Sequence, residues 1–153
     1  MTGPEPIRAP WWLKYANKVV VRLVRVGVPI SRRESPVVLT VPGRNTGRPR
    51  STPVTPMHLN GKRFVVNGYP GADWVRNVRA AAEVTLAQGR RSETVRMVEL
   101  SAEDARPILR EFPVQVADGV DVMKRAGVLK TGTVDELVGL AGRLPVFRID
   151  PVA

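Results

Sequence analysis

A chain of 153 residues, 43% hydrophobic and 25% charged, has the make-up of one globular domain. It contains no cysteine, which excludes a disulfide scaffold and a Cys-based zinc site. A net charge of +10 with a pI of about 11.2 points to an acidic partner (nucleic acid, an anionic membrane or a polyanionic small molecule) or to a solvated basic surface.

Residues 1–9 are polar and Pro-containing and are expected to be a flexible arm, with residues 10–153 forming a single domain. Pro10 opens a helical pattern running to about residue 26. Lys14, Lys18, Arg22 and Arg25 line one face; Trp12, Ala16, Val19, Leu23 and Val26 line another. This basic amphipathic stretch suits either peripheral contact with an anionic membrane through residues 10–28 or docking on the domain as a lid, with Tyr15 near a substrate. Docking is favoured, because so apolar a face is costly to leave in water. The apolar residues 19–30 are broken by Arg22 and Arg25, too short to span a bilayer and a poor secretory signal. The expected location is the cytoplasm, with membrane association as the alternative.

A β-branched run at 36–41 predicts a strand, and 42–49 a turn punctuated by Gly and Pro. A second strand is expected over 50–59, at an edge or bulged because of Pro53 and Pro56. Asn60-Gly61 is a two-residue hairpin signal leading to a third strand over 62–67. After the loop 68–71, Asp73 is placed to cap a helix over 74–82. Strands follow at 83–87 and 91–100. Ser101 opens a helix to about residue 112, which Pro107 is expected to kink or shorten. Residues 113–131 are ambiguous. Thr133 opens a capping box and a helix to about residue 141, and 144–150 reads as a final strand. Short hairpins and many strands predict a mainly β fold with α (α+β): an antiparallel sheet closed into a barrel.

Catalytic sets of the familiar kinds are absent. There is one histidine, His58, and no HExxH, GxSxG or GxxxxGK[ST] motif. No metal site is expected. What remains is a donor-rich turn, residues 43–50, with Arg44, Arg48 and Arg50, the amide of Asn45, the hydroxyl of Thr46 and two glycines. Arginine forks match phosphate and carboxylate oxygens, so this turn suits a polyanionic ligand, or is a solvated hairpin tip. A second dense segment is 73–79. On a helix Trp74, Asn77 and Val78 share one side, and Arg76 and Arg79 are neighbours. An aromatic plane beside an amide and arginines can hold a flat ring with an anionic tail; equally, Trp74 can be a core anchor.

In order and spacing, Thr40, Gly43, Arg44, Thr46, Gly47, Arg50, Thr52 and Pro53 resemble the strand–turn–strand of the deazaflavin-dependent nitroreductase family. Residues 64–68, then Trp74, Asn77, Val78, Arg79 and Ala80, are similar to its next strand and helix, and 144–149 to its closing strand. The resemblance implies a split antiparallel β-barrel flanked by helices, coenzyme F-420 as cofactor (FMN less so), and hydride transfer to an activated C=C, a quinone or a nitro compound. It implies that Arg44, Asn45, Thr46, Gly47 and Arg50 meet the phosphate and oligoglutamate tail. Pro53, Val54 and Thr55 border the ring, and Asn67, Gly68, Trp74, Asn77 and Arg79 complete the pocket. Asn45 stands where the family often carries Lys. For protonating or orienting the acceptor, Tyr69 is the first candidate and Ser51 or Thr55 the second. The partner is then a small-molecule substrate; an oligomer stays open. Two rival readings are a non-catalytic carrier of F-420, FMN, haem or a lipid, and a nucleic-acid-binding module. No DNA- or RNA-binding signature supports the latter, and no nucleic-acid partner is expected.

Overall fold

The computed structural model describes residues 18, 21–22, 36–68 and 72–152. The arm 1–9, most of the stretch 10–28 (Tyr15 included) and Tyr69 lie outside the described residues. In chain order the elements are β1 (Val37–Pro42), β2 (Pro49–Val54), β3 (Met57–Leu59), β4 (Lys62–Val66), α1 (Asp73–Ala80), β5 (Val84–Gln88), β6 (Arg91–Glu99), α2 (Ala102–Gln115), α3 (Ala117–Arg125), α4 (Val134–Gly139) and β7 (Val146–Pro151).

The seven strands form one sheet in the order β2-β1-β5-β6-β7-β4-β3. Every pairing is antiparallel. β2 and β3 stand at opposite margins, yet only Thr55 and Pro56 separate them in the chain. Val54 and Met57 therefore lie within about 11 Å of each other, and the sheet has to curl until its margins meet. This is the expected barrel, split between β2 and β3. The predicted single strand 50–59 is thus two strands. Pro53 and Pro56 have no N–H to donate, so the segment changes neighbours there instead of continuing one ladder.

The exposed margin of β3 is closed by a side chain. The His58 N–H donates to Gln115 Oε1 at 2.8 Å, and Gln115 Nε2 donates to the His58 carbonyl at 2.6 Å. One amide group thus takes the place of a neighbouring strand. The β3–β4 turn follows expectation, with Asn60 at φ 53 and Gly61 at φ 75. Both values belong to the turn that matches strand twist in a two-residue hairpin.

Period-two alternation gives the sheet two buried faces. Leu39, Val41, Val65, Leu86, Val95, Phe147 and Ile149 line the barrel interior with Val75 and Val78 of α1. Arg63 of β4 pairs with Glu93 of β6, and both belong to this face by register. On the opposite face Met57, Phe64 and Val146 pack against Ile108, Leu109 and Phe112 of α2, Met123 of α3 and Leu137 of α4. α2 runs unbroken through Pro107 and Pro113 to Gln115, so Pro107 does not shorten it. An interior proline costs roughly 3 kcal/mol. Burial of Ile108, Leu109 and Phe112 returns about 1.5–3 kcal/mol each, enough to offset the two prolines.

Ser101 Oγ accepts from the Asp104 N–H at 3.2 Å and Thr133 Oγ1 from the Glu136 N–H at 3.3 Å, as the capping patterns predict. The expected Asp73 cap is corrected: Ala72 is the N-cap, no side chain caps this helix, and Asp73 is its first residue. The ambiguous segment 113–131 holds the end of α2 and α3.

Near the N-terminus Lys18, Val21 and Arg22 are helical. Val21 is buried against Val38 and Ala87 on the outer face of β1 and β5, while Lys18 and Arg22 are exposed. The helix is therefore docked at this point, through a residue outside the predicted apolar stripe. No helix among the described residues is long and apolar enough to cross a membrane.

The loop before α4 wraps a carboxylate. Glu136 accepts from the backbone N–H groups of Lys130, Thr131 and Gly132 at 2.9, 3.0 and 2.8 Å, and from the Thr131 hydroxyl at 3.1 Å. The Lys130 N–H leads in holding its pKa down at about 2, well below the ordinary 4.5. A depressed carboxylate stabilises the fold fully above its unfolded pKa and loses that contribution as pH falls through the folded one. The expected result is that Glu136→Gln melts below the parent at pH 7, and that the gap closes as pH falls from about 4.5 towards about 2. Melting curves across that window check it; a gap independent of pH refutes it.

Candidate active site

The donor-rich turn is shaped by its own backbone. Gly43 N–H donates to the Arg48 carbonyl at 2.8 Å, and Gly47 N–H to the Gly43 carbonyl at 2.8 Å. Thr46 Oγ1 accepts from the Arg48 N–H at 3.3 Å. Gly47 sits at φ +72, which disfavours side chains. A Cβ on Gly43 would lie 3.1 Å from Thr46 Oγ1 and 3.3 Å from the Arg48 carbonyl oxygen, so its absence lets the turn close.

What fixes the turn on the barrel is Asn77. Its Oδ1 accepts from the Arg44 backbone N–H at 3.1 Å and from Arg44 Nη1 at 2.9 Å. Asn77 is only 5% exposed, one of two buried polar residues among those described. Arg44 Nη2 also stands 3.7 Å from Asp73 Oδ1, which lies 4.0 Å from Arg76 Nη1. Arg48 and Arg50 are exposed and make no ion pair among the described residues. By register Arg50 lies opposite Val41, on the α1 side of the sheet.

The predicted residues divide accordingly. Arg44, Thr46, Gly47 and Arg50 share the turn or its first strand residues, Asn45 is at the exposed tip, and Asn77 joins them from α1. Trp74 is half-buried, its ring 5.6 Å from that of Phe147 at 50°. It anchors α1 to the core while keeping part of its surface open. The buried side of α1 is Val75, Asn77 and Val78; Val75 was not in the predicted set. Val54 belongs to the interior cluster, and Pro53 and Thr55 are half-buried at the β2–β3 corner. Asn67 is buried, its N–H donating to the Pro145 carbonyl at 2.9 Å. Gly68 lies against Met123, with 3.2 Å between its would-be Cβ and Cγ. Arg79 is committed elsewhere. Its Nε and Nη2 donate to Glu99 at 2.8 and 2.6 Å, and that hydrogen-bonded carboxylate raises its pKa. Ser51 lies with Thr40 on the sheet face opposite Arg50, the two hydroxyls 2.9 Å apart.

His58 is exposed on β3, and no metal-binding group of His, Cys, Asp or Glu exists among the described residues. A cleft of about 290 Å³ lined by Leu59, Phe64, Leu100, Ile108 and Arg148 lies on the face covered by α2 and contains no predicted residue. The sequence placed Asn77 in the pocket but not as the anchor of the turn, and it did not place Asp73 between Arg44 and Arg76. The signal for Asp73 was available, since it is the one acid among residues 43–50 and 73–79.

The F-420H(2)-dependent quinone reductase family matches residues 13–129. The chain belongs to this family. No curated protein is significantly similar to it. A solved structure described as a domain-swapped dimer superposes with a TM-score of 0.54 at 22% identity, over 92% of this chain and 97% of the other, which shows a shared fold. A structure of an F-420-H2 dependent reductase covers 81% of this chain and 100% of its own at 22% identity, with a TM-score of 0.46. As a member of the quinone reductase family, this protein is an oxidoreductase dependent on reduced coenzyme F-420. Its residues fit such a group: Arg48 and Arg50, without an ion pair among the described residues, and an oriented Arg44 suit an anionic tail, and Trp74 offers a partly open indole.

Proposed function

We propose that this member of the quinone reductase family holds reduced coenzyme F-420 along the turn 43–50 and the start of α1 and reduces a quinone. The observation that carries the reading is the Asn77 junction, which sets Arg44 beside α1 with Arg48 and Arg50 on the same hairpin. When bound, the reduced deazaflavin supplies a hydride, and with one proton the quinone becomes a hydroquinone. The protein's own work is to bind, orient and protonate. Arg44, Arg48 and Arg50 hold the anionic tail, Gly43 and Gly47 let backbone approach it, and Trp74 borders the ring. Of the candidate proton-handling groups, Tyr69 lies outside the described residues. Ser51 is on the sheet face away from Arg50, which counts against it, and Thr55 stays a candidate at the β2–β3 corner. Activated alkenes and nitro compounds are acceptors of the same kind. Burial of Val21 on the sheet supports a docked N-terminal helix over a membrane-inserted one.

The test offers the reduced coenzyme with a short-chain quinone, an enone or a nitroimidazole and follows coenzyme oxidation. Fastest turnover with the quinone is expected. Tight coenzyme binding with no oxidation by any acceptor would establish a carrier instead, and tighter binding of FMN or haem would overturn the cofactor assignment.

A further inference from the structure

Among residues 43–50 and 73–79 stand Arg44, Arg48, Arg50, Arg76 and Arg79 and a single acid, Asp73. Arg79 is taken by Glu99 through two short hydrogen bonds. Asp73 is different. Its carboxylate lies 3.7 Å from Arg44 and 4.0 Å from Arg76, beyond hydrogen-bond length, and is 82% exposed. Exposed pairs this loose contribute little to stability. Asp73 does not cap α1 either. Its position is nonetheless specific, between guanidinium groups from two separate elements, the β1–β2 turn and α1.

We propose that Asp73 is an internal competitor for the anion site: its carboxylate occupies the position between Arg44 and Arg76 that an anionic group of the ligand takes on binding. This rests on the reading of turn 43–50 as a cofactor-tail site and deepens it in two ways. It assigns Arg76, which lies outside the motif-derived set, as an anion-binding residue. It also gives a reason for placing one negative charge among the cations. A polyanion held by several unopposed arginines leaves slowly, whereas a reductase has to exchange spent coenzyme for reduced coenzyme each turnover. Asp73 stands between Arg44 and Arg76 until the tail displaces it and returns there as the tail departs. Asn77 holds Arg44 throughout, so the exchange moves only a solvent-exposed carboxylate.

The experiment compares the parent with Asp73→Asn, Asp73→Ser and Arg76→Gln in titrations of three probes: coenzyme F-420, the tail-less deazaflavin ring system and inorganic pyrophosphate. Both Asp73 variants are expected to bind the tailed coenzyme and pyrophosphate about threefold to tenfold more tightly at low salt, with a slower coenzyme off-rate and an effect that shrinks as salt rises. The tail-less ring should bind all proteins alike. Arg76→Gln should weaken coenzyme and pyrophosphate by a similar factor, and Asp73→Asn should gain less in its background. Unchanged or weaker pyrophosphate binding in both Asp73 variants overturns the proposal, whatever the coenzyme does. Tighter pyrophosphate binding with no coenzyme binding in any protein upholds the anion site and removes the cofactor reading. Parent binding of the coenzyme with no dependence on Asp73 does the reverse.

Discussion

Asn77→Ala is expected to destabilise the unliganded protein by about 2–3 kcal/mol and to weaken coenzyme binding as well. Its Oδ1 accepts two hydrogen bonds from Arg44, one from the main chain and one from the guanidinium, at a site 5% exposed. A hydrogen bond to a charged group is worth about 1.5–3 kcal/mol, and a donor left unsatisfied in a water-poor place costs about 1–3 kcal/mol. The two terms overlap, because Arg44 can turn part of its side chain to solvent. In a protein of this size the loss corresponds to a fall in melting temperature on the order of 5–10 °C. Affinity falls because the turn is no longer fixed to α1, so its arginines must be ordered by the ligand itself. Asn77→Asp keeps an acceptor at the same place and should lose less stability. Urea unfolding and coenzyme titration on both variants check this. A melting temperature unchanged in Asn77→Ala would mean the junction does not hold the turn.

Arg50→Ala is expected to separate the two effects: little change in apo stability, and a loss of coenzyme affinity of about 1.5–3 kcal/mol. Arg50 is exposed at the start of β2, makes no ion pair among the described residues, and faces the α1 side of the sheet. With a tailed coenzyme it gains a charge-assisted contact, so the loss should be confined to tailed ligands and diminish at high salt. Isothermal titration at two salt concentrations, with a melting curve, measures both halves. A large fall in melting temperature with unchanged affinity would make Arg50 structural.

Local signals in the sequence located what depends on a few neighbouring residues. Asn60-Gly61 specified the β3–β4 turn because a tight hairpin requires positive φ at both positions. Ser101 and Thr133 marked helix starts because a cap bonds an amide three residues on. The arginines and glycines of turn 43–50 suited a polyanion or a solvated hairpin tip alike, and only the match in order and spacing carried the family and the barrel. Other features depended on groups far apart in the chain. Asn77 and Arg44 are 33 residues apart, and Gln115 and His58 are 57 apart, so no local pattern shows that one anchors the turn or that the other closes a strand margin. The same is true of α2, where proline's local preference is overruled by the core that Ile108, Leu109 and Phe112 enter. It is true of segment 50–59, which breaks into two strands because the curled sheet brings its margins together there. Asp73 illustrates the difference most directly. As a sequence position it is an acid at a helix start; only the packing of α1 against the turn sets it between Arg44 and Arg76, where its charge acts on the site. Sequence determined which chemistry the chain can offer, because residue type and short-range backbone preference are local. Tertiary structure decided which charges are free and which are engaged, because that depends on distances between elements.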